Sequence, residues 1–412
     1  MLADSWDQQL FFSTCAEGDS TLAATSGEIE GDPLCGGRMA PFFEPLPASN
    51  GAGTDLPYWV AFTRVRGIGP ARFRRLIEAF GNAATAWRAP LSALAATGID
   101  RRTVEAFMAQ RQHIDPENEL AKLERLGIST ITWCDEAYPR LLRYTDSPPP
   151  VLYVRGTLLP ADEWAIAVVG TRKATAYGGQ VTERLVTELA RQQITVVSGL
   201  ARGIDTIAHL AALKADGRTF AVLGCGLDIV YPPENRKLAE RIAVHGALIT
   251  EFPLGTQPEA GNFPARNRLI SGLSLGVLVT EAPERSGALI TARFAGEQGR
   301  EVFGVPGSIL SSSSIGVHNL LRDGAKLVQR VEDILEEINL SFVPQRLEMR
   351  ELLPENDAEA AVLGVLGTTP LHIDEICRAC NRPIADVSST LTMLELKGLV
   401  RQTGAMCYVV GP

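Results

Sequence analysis

The 412-residue sequence contains no uninterrupted apolar run long enough to span a bilayer, which excludes an α-helical membrane anchor of ordinary length. Its start, Met1-Leu2-Ala3-Asp4-Ser5, lacks the basic flank and apolar core of a secretory signal. The seven cysteines are mostly scattered and suit reduced thiols better than a disulfide framework. A cytoplasmic location is therefore expected. Metal-ligand clustering is also missing. Cys377-Arg378-Ala379-Cys380 is a single CxxC with His372 five residues before it, and no second pair balances it. Two core thiols on one helix are the expected account, with no metal. The chain also lacks the GxGxxG dinucleotide fingerprint at its first strand–helix junction and the GKS or GKT ending of a P-loop, and no cofactor is expected.

Positive charge is short overall: the formal net charge is -9, which argues at first against a nucleic-acid partner. The deficit is concentrated. Residues 1–54 carry eight acids against Arg38 alone, a balance of -7, which leaves -2 for the rest of the chain. A local basic surface is compatible with that, and a stripe of cations matters more to a polyanion than the whole-chain sum.

Length and composition predict several domains. Residues 1–54, rich in Gly, Ala, Pro and Ser and ending in the linker-like Gly51-Ala52-Gly53-Thr54, are expected to be an acidic, mobile segment, with Met39 as a candidate alternative start. Residues 55–136 read as short helices. Phe73, Leu76, Ile77 and Phe80 share one face of a helix after Gly67-Ile68-Gly69, which resembles the turn of a helix-hairpin-helix. Such a turn either contacts a DNA phosphate or simply packs. Residues 137–340 alternate apolar runs (165–169, 195–197, 219–223, 247–250, 276–280 and 301–305) with helical stretches, which predicts an α/β, Rossmann-like, mostly parallel sheet. Residues 341–355 read as a linker. Residues 356–412 read as three helices and a hairpin, a winged helix, with Ile384, Val387, Leu391 and Leu394 as the buried stripe of the third helix. The outward face of that helix carries no basic residue until Lys397, which suits docking a protein better than reading DNA.

The junctions where strands hand over to helices carry the chemistry. Gly170-Thr171-Arg172-Lys173 and Ser198-Gly199-Leu200-Ala201-Arg202-Gly203-Ile204-Asp205 combine small residues with cations, and helix-start N–H groups there are expected to face a phosphate. Arg172 offers a planar fork of donors matched to phosphate oxygens. Asp205 and His209 lie four apart on one helix face and are expected to be tied into the structure rather than to form an acid–base pair. Leu223-Gly224-Cys225-Gly226 leads to Tyr231, an aromatic face for a base, and Cys225 is expected to be a small packed residue. In Phe263-Pro264-Ala265-Arg266-Asn267-Arg268 the two arginines point different ways, so Arg266 is expected in the site and Arg268 on an internal carboxylate. Glu251 and Glu281 either position water or sugar hydroxyls or accept buried amide hydrogen bonds.

Taken together, Val169–Arg172, Ser198–Asp205 with His209, Val222–Tyr231 with Glu234-Asn235, Glu251-Phe252-Pro253, Phe263–Ile270, Glu281 with Ser286-Gly287-Ala288, Phe303–Ser308 and Gly316–Ala325 resemble the DNA-processing protein A family, also called Smf, over about 190 residues. The resemblance implies a non-enzymatic protein that binds single-stranded DNA through backbone phosphates and helps load the RecA recombinase during natural transformation or recombination. It also implies a homodimer formed through the Rossmann-like domain. It places the basic DNA pocket at Arg172, Lys214 and Arg266, with Lys173 and Arg202 as further cations. Gly170, Thr171, Ser198, Gly199, Gly203, Gly224, Gly226 and Asn267 are read as shaping the phosphate loops. The alternative is a nucleotide or nucleotide-sugar hydrolase resembling the lysine-decarboxylase-like phosphoribohydrolases. Their Pro-Gly-Gly-x-Gly-Thr-x-x-Glu run is replaced here by Glu281-Ala282-Pro283-Glu284-Arg285-Ser286-Gly287. A purely structural dimerisation protein stands third.

Overall fold

The computed structural model describes residues 52–338, 357–366, 371–380, 382–396, 400–404 and 406–410. The expected mobile segment lies outside them up to Gly51, and the expected linker at 341–355 lies outside them entirely. Ala52–Thr54, read as linker, form the first turn of helix α1 (Ala52–Thr63).

Five more helices follow: α2 (Pro70–Phe80), α3 (Ala83–Arg88), α4 (Leu91–Ala95), α5 (Arg101–Arg111) and α6 (Pro116–Arg125). Short helices need tertiary burial to persist, and here an aromatic knot provides it. Trp59, Phe62, Phe73, Trp87, Phe107 and Trp133 meet with ring centroids 4.8–6.1 Å apart, mostly edge to face. Asp55 fastens the start of α3 by accepting from the N–H groups of Ala83 (3.0 Å) and Ala84 (2.6 Å).

The sheet then unfolds through β1 (Ser129–Thr132), α7 (Arg140–Arg143), β2 (Val151–Gly156), β3 (Ala165–Val169), α8 (Ala176–Arg191), β4 (Thr195–Ser198), α9 (Ile204–Lys214), β5 (Thr219–Val222), α10 (Arg236–His245), β6 (Ala247–Thr250), α11 (Asn262–Gly272), β7 (Gly276–Val279), α12 (Gly287–Glu297), β8 (Glu301–Gly304), α13 (Ile315–Arg322), β9 (Lys326–Leu327) and α14 (Val331–Glu337). Spatial order is β1-β2-β6-β5-β4-β3-β7-β8-β9. Neighbours from β6 to β9 are parallel, and β2 pairs antiparallel with both β6 and β1. The fold is thus a mostly parallel α/β sheet. β1 falls within the stretch read as purely helical.

Both faces are covered, as the near-continuous apolar strands require. In β3, Ile166 and Val168 pack with Leu185, Val186 and Ala208 of α8 and α9, whereas Ala165, Ala167 and Val169 pack with Leu269, Ala288 and Ala292 of α11 and α12. Tyr153 of β2 is buried with the N-terminal helices and shares a 2.7 Å hydrogen bond with Thr63, which fixes the helical unit against the sheet edge.

The C-terminal unit comprises α15 (Asp357–Val365), β10 (Leu371–His372), α16 (Ile373–Cys380), α17 (Ile384–Leu396), β11 (Val400–Gly404) and β12 (Cys407–Val410), with sheet order β10-β12-β11. This is a winged helix. Val387, Leu391 and Leu394 are buried as expected, but Ile384 is 54% exposed, because the first turn of α17 starts beyond the edge of the core. Cys377 and Cys380 are half-buried against that core.

Buried Asp162 gathers the amino ends of the strands: it accepts from Leu159 N–H (2.7 Å), Thr195 Oγ1 (2.7 Å) and Arg218 Nε (2.6 Å). Removing one member of such a network strands the others. Asp162→Ala is expected to lose about 3 kcal/mol of stability, read from urea unfolding monitored by circular dichroism.

Candidate nucleic-acid interface

From β3 the chain runs to β4, β5 and β6 on one side, then returns to β7 on the other. The loops leaving β3 and β7 therefore diverge, and a crevice opens at the carboxyl ends of these strands. It is an open cleft of about 630 Å³, walled by Val169–Arg172, by Ala201 and Asp205 at the start of α9, by Tyr231, by Phe263–Asn267 of α11, and by Pro283–Thr291 around the start of α12.

A buried carboxylate spans the switch point. Glu281 is 3% exposed and accepts from the Thr175 N–H (2.9 Å) and the Thr175 hydroxyl (2.8 Å), while its carbonyl accepts from the Thr171 N–H (2.7 Å). Gly178 packs so closely on this carboxylate that a Cβ would strike it. Thr175 in turn caps α8 by accepting from Gly178 N–H (3.1 Å). Of the two roles open to Glu281, the structure supports acceptor of amide bonds.

This clamp changes how an anion would be met. Thr171 and Thr175 N–H groups go to Glu281, Lys173 N–H to the Thr171 hydroxyl (3.2 Å), and Ile204 N–H to Thr171 O (3.2 Å). These amides, expected to face a phosphate, are consumed in bracing the loops. What the cleft offers is side-chain charge. Arg172 is exposed and lies over Phe263, its guanidinium carbon 5.7 Å from the ring centroid. Phe263 packs against Tyr231 with centroids 5.7 Å apart, and Tyr231 is 42% exposed. Exposed Arg285, before the start of α12, also lines the cleft.

Arg266 is in the wall and 95% buried (5% exposed), its Nη1 donating to Val222 O at 2.6 Å. Gly199 leaves the room for its guanidinium, which a Cβ there would occupy. Burial lowers the pKa of Arg266, with Asp205 as the opposing influence; burial raises that of Asp205, opposed by Arg266 and by N–H groups of Ala201 (3.2 Å) and Gly199 (3.1 Å). Buried charges persist only when so compensated.

The other expected residues divide into frame and periphery. Gly170 and Thr171 line the cleft; Ser198 is fully buried and donates to Val168 O (2.6 Å); Gly203 adopts φ +76° directly against the Thr171 and Arg172 carbonyls. Gly224 backs onto the Phe263 ring, Gly226 N–H donates to Thr256 O (3.0 Å), and Asn267 donates to Gly287 O (3.2 Å). Arg268 is paired with Glu251, as expected. Lys173 is exposed beside Arg172 but does not line the cleft, and Arg202 is ion-paired with Glu234.

Lys214 stands apart from the cleft. It ends α9, ten residues and about 15 Å along the axis from the cleft end at Ile204, and pairs with Glu183 at 2.8 Å on the outer surface. Its place in the sequence after the second glycine junction does not put it at that junction's end of the helix. Two contributors escaped the sequence reading. Arg285 sits just before the Ser286-Gly287-Ala288 rim, and Phe263 opens the segment prized for its arginines; cation and aromatic beside a predicted helix start were the available signals.

Buried His209 shares a 2.7 Å hydrogen bond with Thr219, and burial lowers its pKa to about 3. Cys225 donates to Ile229 O at 3.2 Å and burial raises its pKa to about 11, consistent with a packed thiol. Among the described residues no cluster of three or more His, Cys, Asp or Glu could hold a metal, and no helix is long and apolar enough to cross a membrane.

A family model described as DNA recombination-mediator protein A matches residues 129–339, flanked by models for a DprA-like N-terminal HHH domain at 55–115 and a DprA winged helix domain at 348–406. Protein Smf of Synechocystis sp. is 36% identical over 394 residues, covering 87% of this chain and 99% of that protein. DNA processing protein DprA of Bacillus subtilis is 47% identical over 221 residues, 53% of this chain and 74% of that one. The X-ray structure of DNA processing protein A from Streptococcus pneumoniae aligns with a TM-score of 0.61 at 36% identity, over 68% of this chain and 97% of that one.

Two measurements test this geometry. Glu281→Ala should cost about 3 kcal/mol and accelerate amide exchange at Thr175, whose acceptor it removes, with Glu281→Gln losing less because one acceptor oxygen remains. His209 stays neutral in the folded chain while its unfolded counterpart takes up a proton near pH 6.5. Its contribution is therefore complete above that pH and lost as pH falls from 6.5 toward 3, by about 2 kcal/mol at pH 5. The stability difference between pH 7 and pH 5 should shrink by that amount in His209→Gln.

Proposed function

This chain belongs to the DNA recombination-mediator protein A family, and from that premise we propose that it binds single-stranded DNA by its backbone in the cleft between β3 and β7. The observation that carries the reading is the convergence of Arg172, Arg266 and Arg285 on one crevice that also presents Tyr231 and Phe263. Exposed Arg172 and Arg285 are the phosphate partners. Arg266, buried in a medium of low dielectric, contributes a standing positive potential, and Lys173 and Arg202 stand at the margin. The aromatic pair supplies a surface on which any base can stack. Lys214 is not assigned to this contact.

The reading is non-enzymatic. Both Glu281 oxygens are engaged by Thr175, and Asp205 by two amides, which supports structural roles for the carboxylates a hydrolase would need free. The bound strand is passed to the RecA recombinase, in natural transformation or recombination, by a cytoplasmic homodimer joined through the sheet domain. The family resemblance supports these last elements, and the acceleration of RecA filament growth on single-stranded DNA by the purified chain measures them.

Binding should weaken with salt as counterions are recovered by the strand. Arg172→Ala is expected to lower affinity about tenfold, equally for oligo-dT and oligo-dC, and to reduce the slope of log affinity against log salt by about 0.7. Fluorescence anisotropy at several salt concentrations reads both quantities; native affinity and slope in the variant would refute the site.

A further inference from the structure

We propose that the arginine stripe formed by Arg66, Arg72 and Arg75 is a second DNA-backbone site, continuing the path of a strand held in the cleft; this rests on the reading of the cleft given above. The segment Arg64–Arg75 carries five arginines and no acid, in a chain whose net charge is -9. Packing sorts them. Phe73 is buried in the helical core, which turns Arg72 and Arg75, three apart, to the same outward face of α2. Arg72 ties that face to the preceding turn by donating to Gly67 O at 2.8 Å, and it pairs with Asp100 at 2.9 Å while its side chain stays 44% exposed. Arg66, in the turn, is exposed, its backbone held by Gln110 at 2.9 Å. Arg64 is committed to Glu119 and to Leu254 O, and Arg74 lies over Trp133.

The stripe stands at the same end of the sheet as the cleft. Ile68, Gly69 and Pro70 share a small cavity of about 190 Å³ with Glu251, Phe252 and Pro253, the residues that follow β6. β6 runs parallel to β5, β4 and β3, so its carboxyl end lies along the edge where the cleft opens. The loop then continues from Leu254, which accepts from Arg64 at 2.5 Å, to Pro258 and Ala260 in the cleft wall. Six residues span at most about 20 Å when extended. A helically stacked strand, at about 3.4 Å per nucleotide, covers that loop in about six nucleotides, so a strand leaving the cleft reaches the Leu254 end of the loop within a short oligomer's length. The shared chemistry is a phosphodiester backbone, single-stranded or the start of a duplex.

The test uses the full chain, fluorescein-labelled oligo-dT of 6 and 24 nucleotides, and a duplex bearing a six-nucleotide single-stranded tail. The double variant Arg66→Ala with Arg75→Ala, exposed positions whose change should leave the melting temperature intact, should bind the six-mer like the native chain. It should bind the 24-mer or the tailed duplex about tenfold more weakly. On the 24-mer, where the stripe takes single strand, the salt slope should fall by about 1.4. Loss confined to the 24-mer identifies single strand as the occupant, and loss on the tailed duplex identifies duplex. Native affinity on both substrates overturns the proposal, as does an equal loss on the six-mer, which would place the arginines in the cleft contact itself. Arg172→Ala on the six-mer tests the cleft separately: if six-mer binding survives that change, the cleft reading fails whatever the stripe does.

Discussion

The Glu281 carboxylate is the constraint on which the cleft depends. A sheet that reverses its winding order leaves two loops parting from each other, and nothing in the strands themselves dictates how far apart those loops stand. Here one buried acid at the end of β7 accepts two hydrogen bonds from Thr175 in the loop after β3, and its own carbonyl accepts a third from Thr171. Gly178 allows α8 to lie directly on it. The crevice thus has a fixed floor, and Arg172 emerges from a braced loop.

That bracing decides the kind of recognition available. A nucleotide-binding loop keeps its amides free to wrap one phosphate group. This loop spends several of them internally, so the positive charge facing solvent comes from guanidinium groups spread along the walls. Spread cations suit a repeating polyanion better than a single terminal phosphate, and they place little demand on base identity. On the proposed reading, a net negative chain is no obstacle, because exposed arginines at one edge act locally while acids such as Glu234 and Glu251 are already paired.

Much of the architecture was legible because its causes are local. Ala165–Val169 and Gly276–Val279 are apolar on both faces, and only a strand covered on both sides buries such a run. The helices between them carry their own periodicity. β2 was not legible: Val151–Gly156 pairs antiparallel with β6, far along the chain, and that pairing decides its state. Site residues divided along the same line. Arg172, Arg266 and Asn267 follow glycine and proline junctions whose geometry is local, and the cleft contains them. Lys214 and Arg202 rested on the family resemblance, and residue-level geometry adds what that could not supply: a helix of eleven residues carries Lys214 to its far end, and Glu234 reaches Arg202 from another loop.

Arg266 shows why a motif's strongest residue need not be its contact residue. An arginine this deep gives up most of its hydration, and the structure compensates with the Val222 carbonyl and the nearby Asp205 charge. Replacing it with an apolar side chain of similar volume would remove that desolvation cost, so packing alone does not account for it. A charge in the wall of the cleft, held beside the opposite charge of Asp205, instead sets a local potential that persists without any side-chain rearrangement, because the group is already desolvated and held. In the proposed contact, exposed Arg172 and Arg285 are the groups that adjust to each arriving phosphate. On that proposal, the division between a fixed buried cation and adaptable surface ones would let a rigid cleft accept a flexible strand.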